Sequence, residues 1–338
     1  MAIQSSNSLF ILIISGTETI KHPGISAAGA SHEMLQYTAA LDAEFIYHGR
    51  TKTLDSLPVS PEGIVSPALI SKACLNLLEI PVVIIDAGAH IKPQCPYIQV
   101  RTEPAADIAT GQAMSEAEVT ELIETGRELA QDFDKFDELI IAECVVGGTT
   151  TALGLLSALG FDCLDMMSSS LPNGNHNLKK KLIKQCLINF ETSFEPTRAI
   201  ARAGDPMQAL TLGLLEAAGD KVTLAGGSQM LAIAAALQKP SKINPSPWVI
   251  NDSSAKFNQL TQQVCPQAQI SSPAIDWISS SSELQAMTKA LSGLDLETII
   301  ARYNEGHVKE GVGMGALLQK CSENSSFCSN ARRFRAPQ

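Results

Sequence analysis

The residues best suited to chemistry in this sequence follow a short apolar run, Leu139–Ala142, which ends at the acid Glu143. Threonine caps helices, and glycine lets a backbone approach a ligand closely. A helix that begins here would aim free backbone N–H groups and the positive end of its dipole at one point, where phosphate binds well. The residues of this proposed phosphate cradle are Gly147, Gly148, Thr149 and Thr150.

The same residues also fit an ordinary turn from a strand into a capped helix. No Gly-Lys-Ser/Thr follows, as a P-loop would require, and the spacing of the glycines is not that of a dinucleotide fingerprint. Both interpretations stay open on this segment alone, so other parts of the chain must decide between them.

Further acids, glycines and a serine follow other predicted strands or stand late in the chain. Ligands of open parallel sheets bind outside the carboxyl ends of the strands, so we expect these residues near a substrate. Glu310 has a second interpretation, as a carboxylate that only caps a helix. The candidate residues are Asp86, Gly88, Gly226, Gly227, Ser228, Glu310, Gly311 and Gly313.

Composition narrows the class of protein. The chain has 338 residues, 45% of them hydrophobic, and its net charge of −10 argues against nucleic acid or an anionic membrane as partner. The eight cysteines and six histidines show no ligand spacing, so the sequence predicts neither a metal site nor a disulfide framework. The apolar run Leu9–Ile14 is too short to cross a membrane and has no basic residue before it, so we expect a cytoplasmic protein.

Apolar runs alternate with helical segments along most of the chain. The predicted helices include Pro67–Leu78, Ser115–Phe133 with a Ser115/Glu118 capping box, and one that begins at Asp205 and Pro206. This alternation predicts an α/β fold, a doubly wound and mostly parallel sheet in three layers, Rossmann-like. Residues 92–113 are predicted as a long loop and residues 321–338 as a disordered tail. The predicted strands are Leu9–Ile14, Ala43–Tyr47, Pro81–Ile85, Leu139–Ala142, Phe161–Met167, a strand ending near Ala225, and Ser246–Ile250.

Taken in order, three segments resemble the nicotinate-nucleotide:dimethylbenzimidazole phosphoribosyltransferases of the cobalamin lower-ligand pathway. They are Glu143–Thr150, the two helices of residues 204–237, and Lys309–Gly313, and the similarity extends over residues 81–318. The resemblance implies a homodimer with a small helical subdomain from about 20–80 and 280–320, in a single domain of residues 1–320. It also implies that Glu310 is the catalytic carboxylate, with Glu143 and Lys181 as further active-site residues.

The sequence departs from the family pattern at several motifs. Gly148 stands where the family usually has Asn, Asp86-Ala87-Gly88 where it has Asp-His-Gly, and Ser168–Ser170 where it has Gly-Thr-Gly. Residues 1–60, on the side expected to hold the aromatic base, match poorly.

The resemblance implies transfer of phosphoribosyl from nicotinate mononucleotide to dimethylbenzimidazole or a similar base such as adenine, with no cofactor. Lys181 is expected to lie within reach of the substrate rather than in solvent. Two other functions remain open on the sequence: a non-catalytic nucleotide- or phosphosugar-binding protein, and a nicotinate-nucleotide hydrolase.

Overall fold

The computed structural model describes residues 7–172, 174–192 and 194–324. Over these residues it contains one sheet of seven strands, all parallel, in the order β3-β2-β1-β4-β5-β6-β7. The chain therefore begins at the centre, builds one half of the sheet, returns to the centre and builds the other half. The strands are β1 (Ser8–Ser15), β2 (Val82–Ala87), β3 (Ile98–Arg101), β4 (Glu138–Val145), β5 (Val222–Ala225), β6 (Lys242–Ile243) and β7 (Gln269–Ile270).

Helices cover both faces of this sheet. Short 3-10 turns at Glu18–Lys21, Glu33–Tyr37, Ile108–Thr110 and Gly219–Lys221 link some of them. The α-helices are α1 (Thr38–His48), α2 (Ala68–Leu78), α3 (Glu116–Asp132), α4 (Gly148–Ala158), α5 (His176–Cys186), α6 (Pro196–Ala203), α7 (Pro206–Ala218), α8 (Ser228–Leu237), α9 (Pro247–Ile250), α10 (Phe257–Val264), α11 (Ile275–Ser280), α12 (Ser282–Ser292), α13 (Leu296–Asn304) and α14 (Met314–Glu323).

Strand β1 shows why the sheet forms at the centre of the molecule. All eight of its residues are buried, as expected for a parallel strand covered on both faces. Its side chains alternate between two hydrophobic cores: Leu9, Ile11 and Ile13 pack with α3, α4, α7 and α8, while Phe10 and Leu12 pack with α1, α2 and α14. The predicted doubly wound α/β fold is confirmed.

The caps predicted for two long helices are present. The Ser115 hydroxyl accepts from the Glu118 N–H and the Glu118 carboxylate accepts from the Ser115 N–H, which forms the capping box of α3. Asp205 and Gln208 make the equivalent pair at α7, where Pro206 occupies the first helical position. The first residue of each helix is set by capping residues close to it in the sequence, so the sequence alone predicts both helix starts correctly.

Helices from the two chain ends associate, since α2 packs against both α12 and α14. They share one hydrophobic core with β1, β2 and β4. A helical subdomain of residues 20–80 and 280–320 stays a prediction, because this shared core joins the helices directly to the sheet.

Three predicted strands are wrong. Ala43–Tyr47 belongs to helix α1, which is buried on all sides from Ala39 to Ile46, so its short apolar run resembles a buried strand in the sequence. Ser246–Ile250 contains helix α9, because Pro247 cannot donate to a sheet ladder and the Ser246 hydroxyl caps the Val249 N–H. Residues 161–167 form irregular structure packed on the core.

Two further predictions need correction. The predicted loop of residues 92–113 contains β3, an edge strand whose half-exposed residues give no apolar run. Helix α14 continues to Glu323, so the predicted disordered tail begins too early at residue 321, and residues 325–338 lie outside the described part of the chain.

Candidate active site

A cleft that is partly open to solvent lies at the carboxyl end of the sheet, and its empty space together with that open solvent is about 1030 Å³. Its walls are the end of β4, the start of α4 and three loops, at residues 25–30, 56–60 and 308–312. This is the edge at which open parallel sheets bind their ligands. Glu143, Gly147, Gly148, Thr149, Glu310 and Gly311 all line it.

Glu143 is almost fully buried at the end of β4. Its Oε2 accepts from the Val145 N–H at 3.1 Å. Loss of hydration is the main cause that raises its pKa to about 8, and the charges of Glu310 and Asp205 act in the same direction, while hydrogen bonds from Val145 and Gln229 oppose the shift. At neutral pH this side chain is therefore mostly a neutral carboxylic acid that can donate a hydrogen bond.

Glu310 is fixed by backbone donors from three places in the chain. Its carboxylate accepts from the N–H groups of Ser246, Gly311 (3.1 Å) and Gly315 (3.3 Å). Loss of hydration nevertheless raises its pKa to about 7, more than these hydrogen bonds lower it. The arrangement holds a carboxylate in one position with a proton affinity suited to a general base near neutral pH.

A backbone hydrogen bond connects the two segments that carry these acids. The Val312 N–H donates to the Glu143 carbonyl at 3.0 Å, so the loop that carries Glu310 is tied to the strand that carries Glu143. Gly315 makes this closure possible, because a Cβ there would lie 2.3 Å from the backbone of Pro245 and Ser246. Gly313 fits against the sheet, where a Cβ would lie 2.7 Å from the Phe10 ring. Gly313 therefore lets this loop lie against the sheet, and it does not line the cleft.

The start of α4 lies beside Glu143. Gly147 adopts a left-handed conformation with φ of 81°, and Gly147, Gly148 and Thr149 form part of the cleft wall. Thr150 is buried behind them and does not line the cleft. A Cβ on Gly148 would lie 1.8 Å from Oε1 of Gln229, which also lines the cleft, so a side chain at this position would displace Gln229.

The second glycine turn lies outside the cleft wall. Gly226, Gly227 and Ser228 do not line it, and a Cβ on Gly227 would lie 3.0 Å from the Val249 side chain. The turn instead places Gln229, the next residue, in the cleft. The expectation that Gly227 approaches a bound anion is corrected accordingly.

Asp86 and Gly88 also lie away from the cleft. Asp86 Oδ1 accepts from the N–H groups of Gly88 (2.9 Å) and Ala89 (2.8 Å), and Lys92 pairs with the other oxygen at 2.8 Å. A Cβ on Gly88 would lie 2.2 Å from the Glu103 carbonyl oxygen. Both residues stabilise the turn after β2, and neither contacts the cleft.

The expected position of Lys181 is wrong, because this residue is exposed to solvent. The buried positions of α5 are Lys179, Leu182, Ile183 and Cys186, the spacing of one helix face, and Lys181 falls on the opposite face. Lys179 Nζ donates to the Ser168 carbonyl at 2.6 Å. Loss of hydration, with help from the charge of Lys309, lowers the pKa of Lys179 to about 7.

Comparison with known proteins identifies the family. The family profile described as phosphoribosyltransferase matches residues 70–243. The chain belongs to this phosphoribosyltransferase family. Relatives described as UPF0284 proteins include one from Methanothermobacter thermautotrophicus, 34% identical over an alignment of 333 residues, with 94% of this chain and 88% of the relative covered. Another, from Pyrobaculum calidifontis, is 35% identical over 322 residues, with 92% and 90% covered.

Solved structures have the same fold as this phosphoribosyltransferase. One is described as nicotinate-nucleotide-dimethylbenzimidazole phosphoribosyltransferase from Thermus thermophilus, with a TM-score of 0.55, 16% identity, and 93% of this chain and 80% of that chain covered. A second, CobT from the same organism, has a TM-score of 0.56, 15% identity, and 92% and 80% covered. Separately, no helix among the described residues of our chain is long and apolar enough to cross a membrane.

Three residues at the site of this phosphoribosyltransferase were not predicted from its sequence: Asp42, Gln229 and Ser246. Asp42 lies on α1, which was predicted in part as a strand, and no motif surrounds it. Gln229 follows the Gly226-Gly227 turn, so that turn was a usable signal for it. Ser246 acts on Glu310 through its backbone N–H, which no residue type reveals.

Proposed function

We propose that this phosphoribosyltransferase moves the phosphoribosyl group of nicotinate mononucleotide to a nitrogen of an aromatic base, dimethylbenzimidazole or a similar base such as adenine. Nicotinate would be the second product, and the reaction would belong to cobalamin biosynthesis. The hydrogen bond from Val312 to the Glu143 carbonyl is the observation that carries the proposal, because it brings two acids with raised pKa values into one cleft beside a helix start.

The start of α4 is the proposed phosphate end of the cleft. The first turn of an α-helix leaves N–H groups without intrahelical acceptors and carries the positive end of the dipole. Gly147, Gly148 and Thr149 present this turn to the cleft. Ser169 and Ser170 line the cleft beside Ser168, whose carbonyl accepts from Lys179, so the buried Lys179 supports this wall and the exposed Lys181 does not.

The proposed chemistry needs one general base. When the bond between C1′ and the pyridinium nitrogen breaks, its electron pair neutralises that nitrogen, so nicotinate departs without an added proton. A nitrogen of the incoming base forms the new bond to C1′ and gives its N–H proton to the Glu310 carboxylate. Glu143, neutral at pH 7, donates a hydrogen bond to the sugar or to the departing group and adds no second negative charge.

A single assay separates this proposal from its rivals. The protein is mixed with nicotinate mononucleotide, with and without dimethylbenzimidazole or adenine, and nicotinate is measured. Release that requires a base supports the transferase. Release at the same rate without a base identifies a hydrolase, and binding of the nucleotide by calorimetry without any release identifies a binding protein.

We also propose a homodimer, as the family resemblance implies. Light scattering on the purified protein gives its mass directly. A mass of one chain, 36.0 kDa, at micromolar concentration and above would remove this part of the proposal.

A further inference from the structure

Part of the cleft wall is formed by residues from the first third of the chain. Helix α1 contributes Thr38, Leu41 and Asp42 to it, and residues 56–60 and 64–67 complete the wall. Six of the eleven lining residues in these segments are apolar, with Leu41, Leu57 and Ile64 among them. The apolar side chains of this wall suit a flat aromatic base rather than a phosphate.

Asp42 is an acid within this apolar wall, and its side chain has few partners. It is 3% exposed. The Ser66 hydroxyl donates to Oδ1 at 2.8 Å and the Cys144 thiol to Oδ2 at 3.3 Å. Both donors are neutral and the thiol is a weak one, so each carboxylate oxygen keeps capacity for another hydrogen bond.

Loss of hydration raises the pKa of Asp42 to about 6, so at pH 7 and above this group is mostly ionised. A buried carboxylate is costly unless donors or a cation compensate it. Among the described residues, Asp42 has no ion pair with a lysine, arginine or histidine. A ligand in the cleft could supply the missing donor.

Glu44 shows what a fully satisfied acid on the same helix looks like. Two residues from Asp42, it accepts from the N–H groups of Lys52 (2.6 Å), Thr53 (2.9 Å) and Gln94 (2.7 Å), and from the Thr53 hydroxyl. Glu44 does not line the cleft. The protein therefore saturates one acid of α1 with four of its own donors and leaves the other, which lines the cleft, with two, one of them a weak thiol donor.

We infer that Asp42 selects the acceptor base: its carboxylate receives a hydrogen bond from an N–H donor carried by the base away from its reacting nitrogen. The preferred substrate class is then an amino-substituted, imidazole-fused base rather than one with only methyl groups at that edge. This inference rests on the proposed transferase function and adds a specificity determinant to it.

Two bases of nearly equal size provide the test: 5-aminobenzimidazole, which has the donor, and 5-methylbenzimidazole, which lacks it. We expect wild type to favour the amino base in kcat/KM by on the order of 10- to 100-fold, as for a hydrogen bond to a charged acceptor. Asp42→Leu should abolish or reverse this ratio, and Asp42→Asn should reduce it. Glu44→Gln is the matched control, and it should change the two rates equally and keep the ratio.

The outcomes distinguish a failure of the Asp42 inference from a failure of the proposed transferase function. Turnover of both bases with a wild-type ratio near one overturns the inference and leaves the transferase standing. The same holds if the ratio is large but unchanged in a folded Asp42→Asn protein. If neither base leads to release of nicotinate, the proposed function is wrong, and the inference fails with it. If Asp42→Leu fails to fold, the wild-type ratio and the Asp42→Asn ratio still decide the question.

Discussion

The carboxylate of Glu310 is ready to accept a proton near neutral pH. Three backbone donors fix its position, and loss of hydration sets its pKa at about 7. A general base acts only when ionised, so we expect kcat to rise about tenfold per pH unit below pH 7 and to level off above it. A flat profile between pH 5.5 and 7.5, with chemistry shown to limit the rate, would contradict this assignment.

Replacing this carboxylate gives a second prediction for the same residue. Glu310→Gln should lower kcat by about 10²–10⁴ with little change in the affinity for nicotinate mononucleotide, because the amide keeps the shape but cannot take the proton. Glu305→Gln is the control, since Glu305 is an exposed acid in the preceding turn. Near-normal kcat in Glu310→Gln would assign the proton transfer to another group.

The two lysines on opposite faces of α5 should differ in their effect on substrate binding. Lys179→Met removes the donor to the Ser168 carbonyl, so the wall that contains Ser169 and Ser170 should shift and the KM for nicotinate mononucleotide should rise. Lys181→Met changes only an exposed side chain and should leave KM and stability nearly unchanged. Equal KM values in the two variants would show that Lys179 has no part in the cleft.

How far a residue could be predicted depended on its local signal. Glu143 and Glu310 stand next to glycine-rich turns, and the sequence pointed to both. The sequence also contains the signal against Lys181, because Lys179, Leu182, Ile183 and Cys186 have the spacing of one buried helix face and Lys181 does not fall on it. Asp42 had no signal, because its importance comes from cleft walls supplied by distant segments.

At the scale of elements, the start of α4 lies against the side chain of Gln229, which belongs to α8. Gly148→Ala would place a Cβ 1.8 Å from the Gln229 side chain, which must move away. We expect a folded protein with weaker binding of nicotinate mononucleotide by calorimetry. Gly154→Ala on the same helix is the control: its Cβ would lie 2.7 Å from the Ala203 carbonyl oxygen, so it should reduce the melting temperature more than the affinity of the folded protein.

Wild-type affinity for the nucleotide in Gly148→Ala would contradict this role of the α4 start.

Among elements, those with local signals were predictable: the capping boxes of α3 and α7 placed both helices. Strands β6 and β7, with two residues each, and the edge strand β3 were not, because they exist only through pairing with a neighbour. Tertiary contact decided these segments, and local propensity did not.

At the scale of the whole molecule, the raised pKa of Glu143 links stability to pH. The unfolded group titrates near 4.5 and the folded one near 8, so between these values the native state binds more protons and its stability falls as pH rises. Glu143→Gln removes this effect. Relative to wild type, the variant should gain stability steadily from pH 5 to 8, by at most about 1.4 kcal/mol per pH unit.

Thermal unfolding of the two ligand-free proteins across this range checks the sign. Comparing variant with wild type is essential, because lowered pKa values of His90 and His176, and of Lys179 above about pH 7, act in the opposite direction. A stability difference that is constant from pH 5 to 8 would mean that Glu143 titrates as an ordinary carboxyl.

The alternation of apolar runs and helices was enough to predict the α/β class, but it could not give the order of the strands. That order places β4 beside β1 and so brings the end of β4 next to α1 and the loops of the first 70 residues. The base end of the cleft is therefore a product of the whole topology.

The central claim is that this cleft transfers phosphoribosyl to a base rather than to water. The most direct measurement is the mass balance of products after incubation with nicotinate mononucleotide and an imidazole-fused base, by chromatography and mass spectrometry. We expect one base nucleotide to form for every nicotinate released, and no nicotinate in the absence of the base. Nicotinate without a matching nucleotide, or no products from a protein that binds both substrates, would contradict the claim.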